Sequence, residues 1–266
     1  AINKFVMLVC MPALCIEFLA LAPIKHFDFL LLFGYFLSEI ILFLIGLFIS
    51  KYIFRLSNNE ALLIGLALAL TNHVLFVLPI ADEIFGASNT LTIVSIITMD
   101  GLLIFSLTLI AMDILSNSNR PFFVTIKAII TNPPLIGILV GLVISLNNLE
   151  LPSGFLFFLE KMGGTATPAL LFSLGIMLSY QDKIAPTKLI VSMTTIKLIL
   201  HPILAWLLIA FLFGGSYPAN HSTALMVAAA PSGVMAYMLA MNYNVTVDRI
   251  SPIILYTSIG SLITVS

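Results

Sequence analysis

The sequence predicts an all-α polytopic membrane protein, folded as inverted repeats with two broken helices. Three observations predict it. Of the 266 residues, 61% are apolar and only 9% charged, and the mean hydropathy is +1.16, a balance that water-soluble domains of this size do not show. The apolar residues fall into nine runs, each close to the roughly 20 residues that a spanning helix requires. Two of these runs are interrupted, one by the polar triplet Thr71-Asn72-His73 and the other by Pro231-Ser232-Gly233.

In order, the runs cover residues 5–22, 29–50, 61–81, 91–115, 124–147, 154–179, 189–214, 222–242 and 250–266. Their short connections leave no room for a soluble domain. Lys4, Lys51, Arg55, Arg120, Lys127, Lys183, Lys188 and Arg249 fall at one set of alternate ends, against only Lys25 and Lys161 at the other. By the positive-inside rule the first set is cytoplasmic and the C-terminus lies outside, as expected for a bacterial inner (plasma) membrane protein. The chain begins at Ala1 with no recognisable signal peptide. A net charge of −1 offers no basic face, which excludes nucleic acid as a partner. Cys10 and Cys15 lie five apart in one apolar run, a spacing that suits packing rather than a disulfide, metal or redox site. No cofactor or metal is expected.

A repeat runs through the chain. Met11-Pro12-Ala13-Leu14 in the first run matches Thr167-Pro168-Ala169-Leu170 in the sixth. The interruptions at Thr71-Asn72-His73 and Pro231-Ser232-Gly233 recur at nearly the same offset. This divides the chain into residues 1–118 and 119–266, with one helix missing from the first half. A complete pattern has five helices in each half, and because five is odd the halves are inverted, the arrangement of many secondary transporters.

The interruptions are where chemistry is expected. Pro231 removes an amide hydrogen and disfavours a helical Ala230, and Gly233 adds backbone freedom. In hydrocarbon, backbone groups freed in this way survive only against protein or a wet cavity. The second half of each broken helix then starts near the midplane with free amides and the positive end of its dipole, a pairing that favours an anion. Asn72 and Ser232 are expected to add donors and His73 a proton-dependent charge.

These residues resemble a known family. The segments Ile2-Asn3-Lys4-Phe5-Val6 and Met11-Pro12-Ala13-Leu14, Asn72 with Pro79 beyond it, Asn132-Pro133 and Phe172-Ser173-Leu174-Gly175 are similar to the auxin efflux carriers. So is Ala228-Ala229-Ala230-Pro231 followed by Asn242-Tyr243-Asn244-Val245. That family includes plant PIN-FORMED carriers and bacterial malate or malonate permeases. The resemblance spans essentially the whole chain as helices two to ten. It implies ten helices, crossed breaks in the fourth and ninth, elevator-type alternating access and a homodimer, and it carries Asn72 and Pro231 over as substrate-site residues. Thr71 stands where plant carriers have a proline, which makes that crossing less open. The connection from Ser116 to Pro121 is too short for the cytoplasmic loop of the plant proteins.

Charged residues inside the runs each need a partner or water, because an isolated charge at the bilayer centre costs on the order of 2.5–3.5 kcal/mol. Asp100, Glu39 and Lys197 fall near mid-membrane, and Glu17 and His201 off centre. Lys197 and His201 share a helix face, and Lys197 can attract a carboxylate or pair with Asp100 or Glu39. An interhelical ion pair is the simplest reading, and a coupling site for H+ or Na+ on Asp100 or Glu39 is the functional one. Gly137 and Gly141 have the spacing of closely approaching helices.

Three readings follow. The leading one is a secondary transporter of a small organic anion such as malate, malonate or an auxin-like acid. A cation/proton antiporter of related architecture is disfavoured because the crossing itself offers no carboxylate. A non-transporting membrane sensor has no signalling domain, and an intramembrane protease lacks a second aspartate motif or a partner base.

Overall fold

In the computed structural model, residues 2–22, 24–77, 80–81, 90–116, 121–179, 187–218 and 220–265 are described. Pro79, Arg120 and Lys183, used above, lie outside them. The described residues are mostly helical, and five of the helices are long and apolar enough to cross a membrane. They are α1 (Ile2–Leu21), α2 (Phe29–Ile53), α4 (Leu91–Ser116), α7 (Ser153–Ser179) and α8 (Lys188–Leu212). Between and after them come α3 (Asn58–Ala69), α5 (Phe122–Ile130), α6 (Pro133–Leu146), α9 (His221–Ala229), α10 (Met235–Asn242) and α11 (Ile250–Thr264).

Local sequence explains the boundaries. Asp28 caps α2 by accepting from the Leu31 amide at 3.1 Å. Ser57 and Glu60 cap α3 reciprocally, each side chain serving the other's backbone. At the far end of α3 the chain turns extended at Leu70 and resumes as a single π-helical turn, His73–Val77. Helix α9 stops at Ala229 because Ala230, held extended with ψ 164°, precedes Pro231. Both expected interruptions are therefore real breaks, separating α3 from the turn at His73 and α9 from α10.

One expected run divides differently. Residues 124–147 do not form a single span: the chain breaks at Thr131-Asn132, giving α5 and a 14-residue α6. Pro133 and Pro134 explain the break, since neither can donate into a preceding turn. Helix α5 leaves Phe123 and Ile130 exposed.

Every residue from Ala61 to Ala69 is buried, so α3 runs through the middle of the protein and belongs to one apolar core with α1 and α10. A second core joins α2 and α9. Helix α6 lies directly on α1: a Cβ at Gly137 would meet the Pro12 carbonyl oxygen at 2.7 Å, and one at Gly141 would meet Leu19 Cβ at 2.7 Å. The glycine spacing is thus a contact between main chains.

Candidate functional site: the crossing of two interrupted helices

The two interruptions meet. Thr71 and Ser232 form an isolated antiparallel bridge. The Asn72 amide donates to the Pro231 carbonyl and the Gly233 amide to the Leu70 carbonyl, both at 2.9 Å. Two of the backbone groups freed by the breaks thereby satisfy each other in place of the water that a bilayer does not supply. Gly233 is required by proximity, since a Cβ there would sit 2.9 Å from the Thr71 carbonyl oxygen.

The helix ends at the breaks are capped from other helices. The Lys197 ammonium, wholly buried, donates to the Ala69 carbonyl at 3.1 Å and the Thr71 hydroxyl at 2.9 Å, and lies 3.1 Å from His201 Nδ1. A cation therefore sits at the negative end of α3. The Ala229 carbonyl, at the end of α9, accepts from the Thr264 hydroxyl at 2.9 Å. The Ser232 amide donates to Thr257 Oγ1 at 3.2 Å.

A cavity of about 110 Å³ opens beside the bridge, lined by Thr71, Asn72, His73, Asp100 and Gly233 together with apolar side chains of α1. Drug-sized sites run to roughly 300–1,000 Å³, so this one suits a small ligand. Val234 and Met235 also line it. They open α10, whose first amides have no acceptor inside the helix, so the positive end of that dipole faces the cavity. His73 Nε2 and Asp100 Oδ2 stand 3.3 Å apart on the wall without the alignment of a hydrogen bond.

Behind the wall is a polar cluster. Glu39, wholly buried, is an electrostatic neighbour of Asp100, Lys197 and the Tyr35 hydroxyl. Its carboxyl group interacts with the Asp100 carboxyl and the Tyr35 hydroxyl. Asp100, Lys197 and His73 each lie in a π-helical turn, at Asp100–Phe105, Ile196–Leu200 and His73–Val77. Such wide turns occur mostly as isolated bulges and often at functional sites.

The structure therefore gathers most of the candidates at the crossing and places the others apart from the cavity. Ser232 does not line the cavity: its hydroxyl is buried without a hydrogen bond among the described residues. Lys197 does not reach the cavity either, because its three N–H groups are taken up by Ala69, Thr71 and His201. Carboxylates do stand beside the crossing, contributed by α2 and α4 rather than by the broken helices, so their absence from the interruptions is no argument against cation exchange. Glu17 is remote, with its Oε2 against the backbone of Gly163 and its exposed side on a groove with Leu21 and Leu91. Pro231 contributes its carbonyl to the bridge and does not line the cavity.

Tyr35, Thr257 and Thr264 escape a reading of the sequence. Tyr35 alone carried a signal, standing four residues before Glu39 on one face of α2.

Profile comparison decides the family: that of the "Membrane transport protein" description matches residues 1–266, the whole chain. The chain belongs to this membrane transport protein family. The family is that of the auxin efflux carriers, as the motifs suggested. A relative from Rhizobium meliloti (strain 1021), named "Putative malonate transporter", is 25% identical over 276 residues, covering 100% of this chain and 84% of the relative. Membership makes the chain an integral membrane transporter and not an enzyme.

Proposed function

We propose that the cavity at the crossing binds a small organic anion, a carboxylate of the size of malonate or malate, which the protein carries across the membrane by alternating access. The observation that carries this reading is the bridge between Thr71 and Ser232, which brings two interrupted helices to one small cavity lined by the first residues of α10. Carboxylates are favoured at such helix starts, and Asn72 stands on the wall. The name of the Rhizobium relative points to the same substrate class. The antiparallel sense of the bridge supports inverted halves at 1–118 and 119–266, and an elevator-type displacement of the crossing is part of the same proposal.

The lysine and arginine pattern supports a C-terminus outside a bacterial inner membrane. Homodimerisation and coupling to H+ or Na+ belong to the same proposal.

Labelled malonate and malate should accumulate in proteoliposomes bearing the wild type, and Asn72→Ala should reduce this uptake at least tenfold with little change in thermal stability. Equal uptake by the two proteins would remove the crossing as the binding site.

Glu39 and Asp100 beside the crossing favour a second reading, exchange of a monovalent cation for protons. A pH-sensitive dye trapped in the same vesicles reports it: a Na+ pulse that moves protons without any carboxylate would establish exchange.

A further inference from the structure

Hydrogen bonds and close main-chain contacts sort the described spanning helices into two bodies, and one buried hydroxyl joins them. We infer that Tyr237 on α10 and Ser173 on α7 form a latch, closed in this structure, which opens each time the crossing moves past α1 and α7. The inference rests on the alternating-access reading above and names the contact that holds the protein between movements.

The body that contains the crossing is stitched throughout. Its two breaks bond to each other through Asn72, Pro231, Gly233 and Leu70. Lys197 ties α8 to the end of α3, Thr264 ties α11 to α9, and Tyr243 ties the end of α10 to α4. The Asn59 side chain donates to the Ser116 hydroxyl at 3.2 Å, joining α3 to α4, and Arg249 at the start of α11 pairs with Glu60. Helix α2 joins by close approach, since a Cβ at Gly46 would lie 3.2 Å from the Gly65 Cα of α3.

Helices α1, α6 and α7 form the other body. Gly137 and Gly141 set α6 on α1, and Gly163 sets α7 there, where a Cβ would meet Leu14 Cα at 2.9 Å. The Ser145 hydroxyl of α6 donates to the Ala22 carbonyl, just beyond α1, at 3.1 Å.

Between the bodies lie the cavity and a shared apolar core. Apolar contact is non-directional, so two such surfaces can slide and make it again elsewhere. A hydrogen bond weakens steeply once its geometry is lost. Among the described residues, hydrogen bonding crosses this seam at Ser173 alone: the Tyr237 hydroxyl donates to the Ser173 carbonyl at 3.1 Å and lies 3.0 Å from the Ser173 hydroxyl. Tyr237 is wholly buried, so parting from Ser173 strands its hydroxyl away from water until the crossing settles in a new position. That cost resists sliding at this one point.

The two cysteines report whether the seam opens. Cys15 on α1 lines the cavity, whereas Cys10 is wholly buried. Maleimide labelling of the purified full chain, read at each cysteine by peptide mass spectrometry, follows the seam without any substrate. Tyr237→Phe should label Cys15 about three to ten times faster than wild type, the population shift that one lost hydrogen bond produces, with Cys10 unchanged. Ser173→Ala, which keeps the main-chain acceptor, should raise the rate less. A Tyr237→Phe protein whose Cys15 reacts at the wild-type rate would overturn the inference. So would faster labelling of both cysteines together, including that of a chain that fails to fold, because the hydrogen bond would then hold the fold and not a step in its movement. No carboxylate is present, so a protein that shows the latch yet takes up neither malonate nor malate would sink the substrate reading and leave this one standing.

Discussion

Thr71 and Ser232, 161 positions apart in the sequence, face each other across an antiparallel bridge that joins the two interrupted helices through main-chain hydrogen bonds at 2.9 Å. The joint works only while the two backbones stay in contact. Gly233→Ala places a Cβ 2.9 Å from the Thr71 carbonyl oxygen, so the backbones must part. We expect a loss of about 1–3 kcal/mol, the usual cost of overpacking a tight interior. Thermal unfolding with uptake measured in parallel checks it, and a Gly233→Ala protein of wild-type stability would show that the contact is dispensable.

Lys197→Met should be more damaging. It strips the Ala69 carbonyl and the Thr71 hydroxyl of their donor and removes a buried positive charge from the neighbourhood of Glu39 and Asp100. Breaking a buried charge group in this way costs about 3–5 kcal/mol. Adding Glu39→Gln should recover part of the loss, and a double-mutant cycle on the unfolding midpoint reads the coupling.

Arg249 and Glu60 also form an ion pair, at the end of the bundle that carries the α3 cap, but the Arg249 side chain is 43% exposed. Arg249→Gln should therefore cost no more than about 1 kcal/mol, with a difference that shrinks as salt is raised. A larger or salt-independent loss would mean that the pair is part of a buried network.

The Tyr243 hydroxyl donates to Asp113 Oδ1 at 2.6 Å, linking the end of α10 to α4. Tyr243→Phe keeps the ring and removes only the donor to a charged acceptor, a change of about 1.5–3 kcal/mol. A denaturation midpoint unchanged from wild type would show that this hydrogen bond does not hold the two helices.

Gly137→Leu should separate α6 from α1, because the added side chain begins 2.7 Å from the Pro12 carbonyl oxygen. Loss of the folded species by size-exclusion chromatography in detergent is the expected result.

Much of this was legible in the residues. Apolar runs near bilayer length gave the spans, and Pro231 and the Thr71-Asn72-His73 triplet gave both breaks, because proline and polar residues interrupt a lipid-bound helix for reasons that need no tertiary context. The division at Thr131-Asn132 was harder to see, since α5 is apolar enough to pass for the start of a span and only Pro133-Pro134 marks its end. Of the surroundings of Lys197 only His201, on the same helix face, was legible. Its acceptors lie more than 120 residues away, and no local pattern specifies that a side chain on α8 reaches the end of α3. Ser232 misled for the same reason: a polar residue at a break can face the cavity or the opposite wall, and which one depends on how the helices cross.

Because the joint between α3 and α10 is made of peptide groups, the side chain of residue 72 is largely free of the task of holding it together. Mutation can then alter what the pocket accepts while the joint persists, which gives such a protein an easy route to new cargo.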